Sequence, residues 1–268
     1  RSLVFGGIAI GVAITLLAVS FWLTWQLSDY EELGEYLLRL GISWLFLTFL
    51  SFLAFSALVT SLSTFFLSDD LRLLLAAPVA SRRLFAARFA RALAQSGWMV
   101  VVFLVPVLAG IGFAKCAPWS FILTAVLTVV PFVTIPVGIG SAVTLLLVNV
   151  FPARRARDIL MFMGLVFATS IVLLLRFLQP ERLLRVESMP EVTAFFATLQ
   201  SPITPLLPSF WAGEALFAGV QGGSDWLHIA ALWTTAGAAG VAVGAAFERW
   251  PFAGFSKSQE ARKARFAR

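Results

Sequence analysis

The chain of 268 residues is 60% hydrophobic and only 13% charged, with a net charge of +6 and a mean hydropathy of +0.91. These values lie outside the range of soluble proteins and indicate an integral membrane protein, so the basic excess is read as membrane topology and not as nucleic-acid affinity. A single cysteine, Cys116, and a single histidine, His228, exclude an internal disulfide framework and most metal sites.

Six apolar runs are long enough to cross a bilayer, which takes about 20 helical residues. The predicted spans cover residues 3–25, 41–67, 97–113, 120–150, 159–177 and 226–247. The fourth contains Pro131 and Pro136, so a kink or a break is expected there. The predicted fold is an all-α integral membrane protein with one transmembrane domain over residues 1–268.

The charges predict the orientation of these spans. Fifteen of the twenty Lys and Arg residues fall on the side that holds both ends of the chain, whereas nine of the fourteen acids fall on the opposite side. By the positive-inside rule, both termini are therefore cytoplasmic. Residues 248–268 form a basic cytoplasmic tail.

The most charged interruption, residues 68–96, is predicted to be a cytoplasmic loop. Ser68 is a good N-cap for a short helix that ends before Pro78, and Ser81 can cap a second helix. On this second helix one face is expected to be polar and the other apolar. The polar face would carry Arg88, Arg91 and Gln95, and the apolar face Phe85, Phe89 and Ala92. An ordinary loop whose arginines contact lipid headgroups is the simpler interpretation, but the caps and the proline favour a docking surface.

Residues 179–225 form the longest predicted loop on the outer side. Its apolar stretches are too short to cross a membrane, so short re-entrant or interfacial helices are expected before the last span. The prolines of this loop could simply end such helices. The sharper hypothesis is an outer gate formed by Pro205, Pro208, Phe210, Trp211 and Glu214.

The predicted spans carry no ionisable residue near their middle, which argues against a proton-driven transporter and an intramembrane protease. The sequence also lacks the GxxxxGK[ST] phosphate loop. These absences predict that the chain is not itself an enzyme and that any energy for transport reaches it from another polypeptide.

At this point the chain resembles the permease subunit of type-2 ABC exporters, in particular bacterial ABC exporter permeases. The likeness rests on DDLRLLLAAPVASRRLFAARFARAL after the second span, on six spans with both ends inside, and on ITPLLPSFWAGEAL before the last span. The resemblance implies a multi-pass protein of the bacterial inner membrane that forms the translocation path of an ATP-driven exporter.

The resemblance also implies partners and a docking site. The loop would contain a coupling helix that contacts a separate ABC ATP-binding subunit. A second transmembrane half, into which the tail 248–268 could lead, would complete the path. ATP and magnesium would bind that partner, with no cofactor, metal or catalytic residue in this chain. The residues that would face the ATPase are Asp69, Asp70, Leu71, Leu74, Leu75, Pro78, Arg82 and Arg83.

Two other functions stay open on the sequence alone. A membrane scaffold or assembly factor could recruit a cytoplasmic partner without transport. A membrane-embedded enzyme acting on lipids would need a cluster of Asp, Glu, His or Lys at one boundary, and the sequence shows none beyond the charges that topology explains.

Overall fold

The structure is a computed structural model that describes residues 2–29, 31–67, 81–150, 162, 164–165, 169 and 204–249. Every regular element among these residues is helical. The helices are α1 (Ser2–Ser28), α2 (Glu31–Leu62), α3 (Ser81–Met99), α4 (Val105–Ala114), α5 (Ser120–Val150), α6 (Pro208–Val220) and α7 (Trp226–Arg249). A π-helical turn, Ser63–Leu67, extends α2, another, Val100–Leu104, joins α3 to α4, and a 3-10 turn, Thr204–Leu206, precedes α6.

Five stretches of the described residues are long and apolar enough to cross a membrane. They are Gly6–Ser28, Gly34–Phe65, Arg82–Ala114, Ser120–Leu147 and Trp226–Arg249. They coincide with five of the six predicted spans, so the all-helical class is confirmed. The predicted span 159–177 lies outside the described residues apart from four isolated positions.

The third span differs from its prediction in length. Residues 81–96, predicted as part of a cytoplasmic loop, form the first turns of the same helix that carries the apolar run to Ala114. No proline interrupts this stretch before Pro106, and a π-helical turn connects α3 to α4. At about 1.5 Å per residue, this 33-residue helix is longer than a hydrocarbon core, so its polar first turns extend beyond it.

The core of the bundle lies between α2 and α5, and α7 also packs on α5 and contributes Leu232 and Ala236 to this core. Phe46 and Phe132 are fully buried and meet edge to face, with ring centroids 4.7 Å apart. Toward the later turns of both helices the contact becomes polar. The hydroxyl oxygens of Ser61 and Ser141 lie 3.0 Å apart.

The two prolines of α5 do not break it. Both are inside the continuous helix Ser120–Val150. Because Pro131 has no N–H, the carbonyl of Leu127 loses its usual intrahelical donor. The indole Nε1 of Trp233, in α7, donates a hydrogen bond to this carbonyl at 2.9 Å. A neighbouring helix thus satisfies the group that the proline left, as expected for prolines in membrane helices.

This bond predicts a coupling between α5 and α7. Trp233→Phe should lower the free energy of unfolding by about 0.5–1.5 kcal/mol, the usual net contribution of one hydrogen bond. In a Pro131→Ala background, the restored N–H can bind Leu127 within α5, so the same substitution should cost less. A double-mutant cycle in mixed detergent micelles measures the difference. Equal costs in both backgrounds would show that the indole bond does not compensate for the proline.

Candidate functional site

The predicted docking residues and the predicted gate residues lie toward opposite ends of the helix bundle. The basic end is where α2 finishes, α3 begins and α7 finishes. The acidic end is where α2, α5 and α7 begin and where α6 packs between them.

Of the predicted docking residues, only two belong to the described part of the chain. Asp69, Asp70, Leu71, Leu74, Leu75 and Pro78 lie outside it. Arg82 and Arg83 are in the first turn of α3, and both are exposed. Arg82 donates from Nε to Glu248 of α7 at 2.5 Å, and its side chain is 85% exposed. A pair this exposed contributes little stability, so these side chains are available to a partner.

Aromatic rings hold α2, α3 and α7 together directly behind these arginines. Phe65, Phe85 and Phe247 form a triangle with ring centroids 5.6 to 6.0 Å apart. Phe85 also stacks on Phe89 at 5.5 Å. Phe65 and Phe247 are almost fully buried. The basic end is therefore a packed junction of three helices.

Arg88 is a residue whose environment the sequence pattern misjudged. It was expected on the polar face of its helix with Arg91 and Gln95, but it is 5% exposed and shares the inward face with Leu84 and Ala92. Its Nη1 donates to the backbone carbonyl of Thr64 in the π-turn that ends α2. The spacing Leu84, Arg88, Ala92, Ser96 is a regular i, i+4 stripe, and that stripe was the available signal.

At the acidic end, the predicted gate residues belong to α6 and to the turn before it. Pro208 is in the first turn of α6, where its missing N–H costs nothing, and Leu207 before it is extended (φ −84°, ψ 138°). The indole Nε1 of Trp211 donates to the carbonyl of Pro205 at 2.8 Å and so closes this turn onto the helix.

α6 packs against α2, α5 and α7 through small residues. A Cβ on Gly213 would collide with Ser43 of α2, and one on Gly219 would crowd Thr124 of α5. These close approaches explain why a helix of only 13 residues can sit between three longer ones.

Glu214 connects α6 to α2 by an ion pair. Arg39 donates from Nε to Oε1 at 2.7 Å and from Nη2 to Oε2 at 2.5 Å, a bidentate geometry. The Glu214 side chain is 11% exposed and that of Arg39 is 51% exposed. The guanidinium also lies 5.8 Å from the ring centre of Phe217. Sequence reasoning placed both charges on the outer side but could not pair residues 175 positions apart.

Phe210, the remaining gate candidate, meets the start of α7. Its ring lies edge to face with that of His228 at 5.8 Å. Nδ1 of His228 is 2.6 Å from Asp225, which also caps α7 by accepting from the backbone N–H of His228. Burial alone would raise the pKa of Asp225, but the hydrogen bonds from the His228 side chain and backbone outweigh it and lower that pKa below its ordinary value.

The comparison with protein-family models assigns the chain to a family. A family described as "Putative ATP-binding cassette" matches residues 1–268, the whole chain. The chain belongs to this family. No curated protein and no solved structure matches it.

The family assignment corrects four predictions. Its description names an ATP-binding cassette, so the identification as the permease subunit of a type-2 exporter is wrong, and the function of forming an exporter's translocation path is wrong with it. The scaffold alternative gains no support either. The predictions that the chain is no enzyme and holds no cofactor are contradicted, because the family implies ATP and magnesium on this chain. The first of these predictions relied on the missing phosphate loop and on spans without central ionisable residues, and the second on the family resemblance, whereas the family model compares the whole length.

ATP and magnesium can be tested against the described residues. Phosphate loops lie between a strand and a helix, where backbone N–H groups hold the phosphates. The described part of the chain has helices and turns but no strand. It also holds no group of three or more His, Cys, Asp or Glu residues that could bind a metal. The described residues therefore do not fit this cofactor, and no chemical step is derived through it.

The Arg39–Glu214 pair predicts an asymmetry between its two partners. Arg39→Met leaves a mostly buried carboxylate unpaired and should cost about 1–3 kcal/mol of unfolding free energy. Glu214→Gln leaves a guanidinium that water still reaches, so it should cost under about 1 kcal/mol. The unfolding free energies of the two variants are compared with that of the wild type in mixed detergent micelles. A larger loss for Glu214→Gln would contradict the account of α6 anchoring.

Proposed function

We propose that this chain is a membrane-embedded component of an ABC transporter, and that its basic end docks the ATP-binding subunit of that transporter. In this proposal the chain crosses the bacterial inner membrane six times with both termini in the cytoplasm. A second transmembrane half completes the assembly. The family assignment supports the transporter class, and five apolar helices support the membrane location.

The distribution of charge supports the placing of the basic end in the cytoplasm. Fifteen of twenty basic residues fall on that side of the predicted topology. Arg82, Arg83 and Arg249 are among them, and all three are exposed in the described part of the chain. At the acidic end, Arg39 and Glu214 neutralise each other, and the exposed charges there include the acids Asp29 and Glu35. The basic end is the one whose exposed charges include Arg83 and Arg249, which is the sign expected of a cytoplasmic surface.

The observation that carries the docking proposal is the geometry around the loop that follows α2. The described residues on either side of positions 68–80 pack in one junction, through the Phe65, Phe85 and Phe247 rings and the Arg82–Glu248 pair. A loop that only connects two spans needs no such fixed base. A loop that presents residues 69–83 to another subunit does, because preorganisation lowers the entropy lost on docking.

The predicted docking residues define the experiment. A tagged chain is purified from its native membrane, and the measured quantity is recovery of a polypeptide that contains the GxxxxGK[ST] phosphate loop. Shuffling residues 69–78, or Arg83→Glu alone, should reduce this recovery at least about tenfold, as loss of central interface contacts does.

Lys115→Glu provides the matched control, since it reverses one charge in the turn between α4 and α5 at the acidic end. Recovery with this variant should equal that of the wild type. Full recovery after the 69–78 shuffle would exclude docking at this loop. Equal losses from Arg83→Glu and Lys115→Glu would mean that net charge, and not the basic end, determines association.

A further inference from the structure

The third described span consists of two helices that pack against different parts of the chain. Its first part, α3, packs against α2, α5 and α7. Its second part, α4, packs mainly against α1. The π-helical turn Val100–Leu104 joins the two parts. The span therefore changes its packing partners at the π-turn.

The backbone of this span is irregular at the same place. The N–H of Val105 donates to the carbonyl of Val100, which is five residues earlier and not four as in an α-helix. Pro106 follows directly, and a proline has no N–H to donate and clashes with the carbonyl four residues before it. Prolines and π-turns are both established causes of helix bending. The span is therefore expected to bend within residues 100–106.

α1 and α4 are held together closely, so that one should follow the other. A Cβ on Gly110 of α4 would collide with the hydroxyl of Ser20 and would lie 2.6 Å from the carbonyl oxygen of Leu17, both in α1. Such a close approach at a small residue is typical of tightly paired membrane helices. Ser20 and Thr24 are buried on this side of α1. A tilt of α4 should therefore carry α1 with it.

The contacts between α4 and the core of the bundle are apolar. Leu108 and Ile111 belong to the buried core, but α4 carries no polar side chain that could form a directional bond. Because hydrophobic contacts are non-directional, they resist a small sliding movement less than hydrogen bonds do.

The first half of α1 extends beyond the π-turn and would act as a lever. α1 contacts α4 and the π-turn, but it does not pack to a similar extent on α3. Among the described residues, a Cβ on Gly6, Gly7 or Gly11 would meet no neighbour within 4 Å. About ten residues separate Ile8 from the contact with Gly110, so a bend of about 20° would move Ile8 by about 5 Å.

We propose that the π-turn Val100–Leu104, together with Pro106, is a hinge in the third span. It lets the pair of α1 and α4 tilt against the bundle of α2, α3, α5 and α7. The inference rests on the proposed function in one respect, because a partner docked at the basic end would hold the start of α3 and so determine the hinge angle. The hinge itself is a property of this chain.

The test measures distances between spin labels in the full chain, in lipid nanodiscs and in a Cys116→Ser background. One pair, Ile8→Cys and Arg249→Cys, reports on movement across the hinge. The other pair, Arg91→Cys and Arg249→Cys, joins α3 to α7 within the bundle and is the reference. All three labelled positions are exposed. The distance distribution across the hinge should be the broader of the two.

Two pairs of substitutions attribute that breadth to the hinge. Pro106→Ala restores an N–H and should narrow the distribution across the hinge, whereas Val101→Gly adds backbone freedom within the π-turn and should broaden it. Pro136→Ala and Val126→Gly are the matched controls in the continuous helix α5, and they should change neither pair. Widths across the hinge that are the same in Pro106→Ala, Val101→Gly and the wild type would overturn the proposal.

A measurement on the assembled transporter separates the hinge from the function on which it rests. With the phosphate-loop polypeptide bound, magnesium, ATP and orthovanadate should shift the distance across the hinge and leave the reference unchanged, and Pro106→Ala should reduce the shift. If no such polypeptide is recovered with the chain, the docking function fails, while the nanodisc distributions still decide the hinge. If the complex forms and neither distance shifts, the docking function stands and the control of the hinge by the partner is wrong.

Discussion

A helix inside a bilayer has no water to satisfy its backbone, so a carbonyl that loses its helical partner must find a donor elsewhere in the protein. Trp233 meets this need in α5, because its indole binds the Leu127 carbonyl that Pro131 leaves. Two more backbone carbonyls accept from long side chains near the ends of the bundle, Thr64 from Arg88 and Pro205 from Trp211. Two of these bonds join different helices, so they fix the places where the bundle departs from regular geometry.

The basic and acidic ends of the bundle are held by different contacts. At the basic end, the Arg88–Thr64 hydrogen bond and the rings of Phe65, Phe85 and Phe247 join α2, α3 and α7. At the acidic end, the Arg39–Glu214 pair and the small residues of α6 hold a short helix between three longer ones. The gating role predicted for Phe210, Trp211 and Glu214 stays a prediction. Their observed contacts anchor α6 and its preceding turn.

Composition and hydrophobic runs were sufficient to predict the helices, because a span needs only length and apolar character. They were not sufficient for Arg88, since a charged residue on an amphipathic helix is normally assigned to the exposed face. The continuation of α3 into the third span was missed because its polar first turns were interpreted as a loop, although no proline lies between Ser81 and Pro106. The Arg39–Glu214 pair forms only because α6 packs against α2, and no local sequence pattern predicts that contact between distant segments.

The family assignment shows which part of the functional interpretation the sequence motifs could not support. The permease interpretation rested on the charged stretch after the second span, on the six predicted spans and on the segment before the last span. The match over residues 1–268 to a family described as an ATP-binding cassette contradicts it. The two approaches agree on the coarser conclusion that the chain belongs to an ABC transporter. They differ in which component of the transporter the residues describe. Direct contact with a phosphate-loop subunit is therefore the decisive observation.

Photocrosslinking from single positions in the intact transporter measures that contact most directly. A photoreactive phenylalanine analogue at Arg83, at the basic end, should crosslink to a polypeptide that contains the phosphate loop. The same group at Trp119, which is 88% exposed at the acidic end, should crosslink to lipid or to no protein. Absence of the adduct from Arg83, or its formation from Trp119 instead, would contradict docking at the basic end.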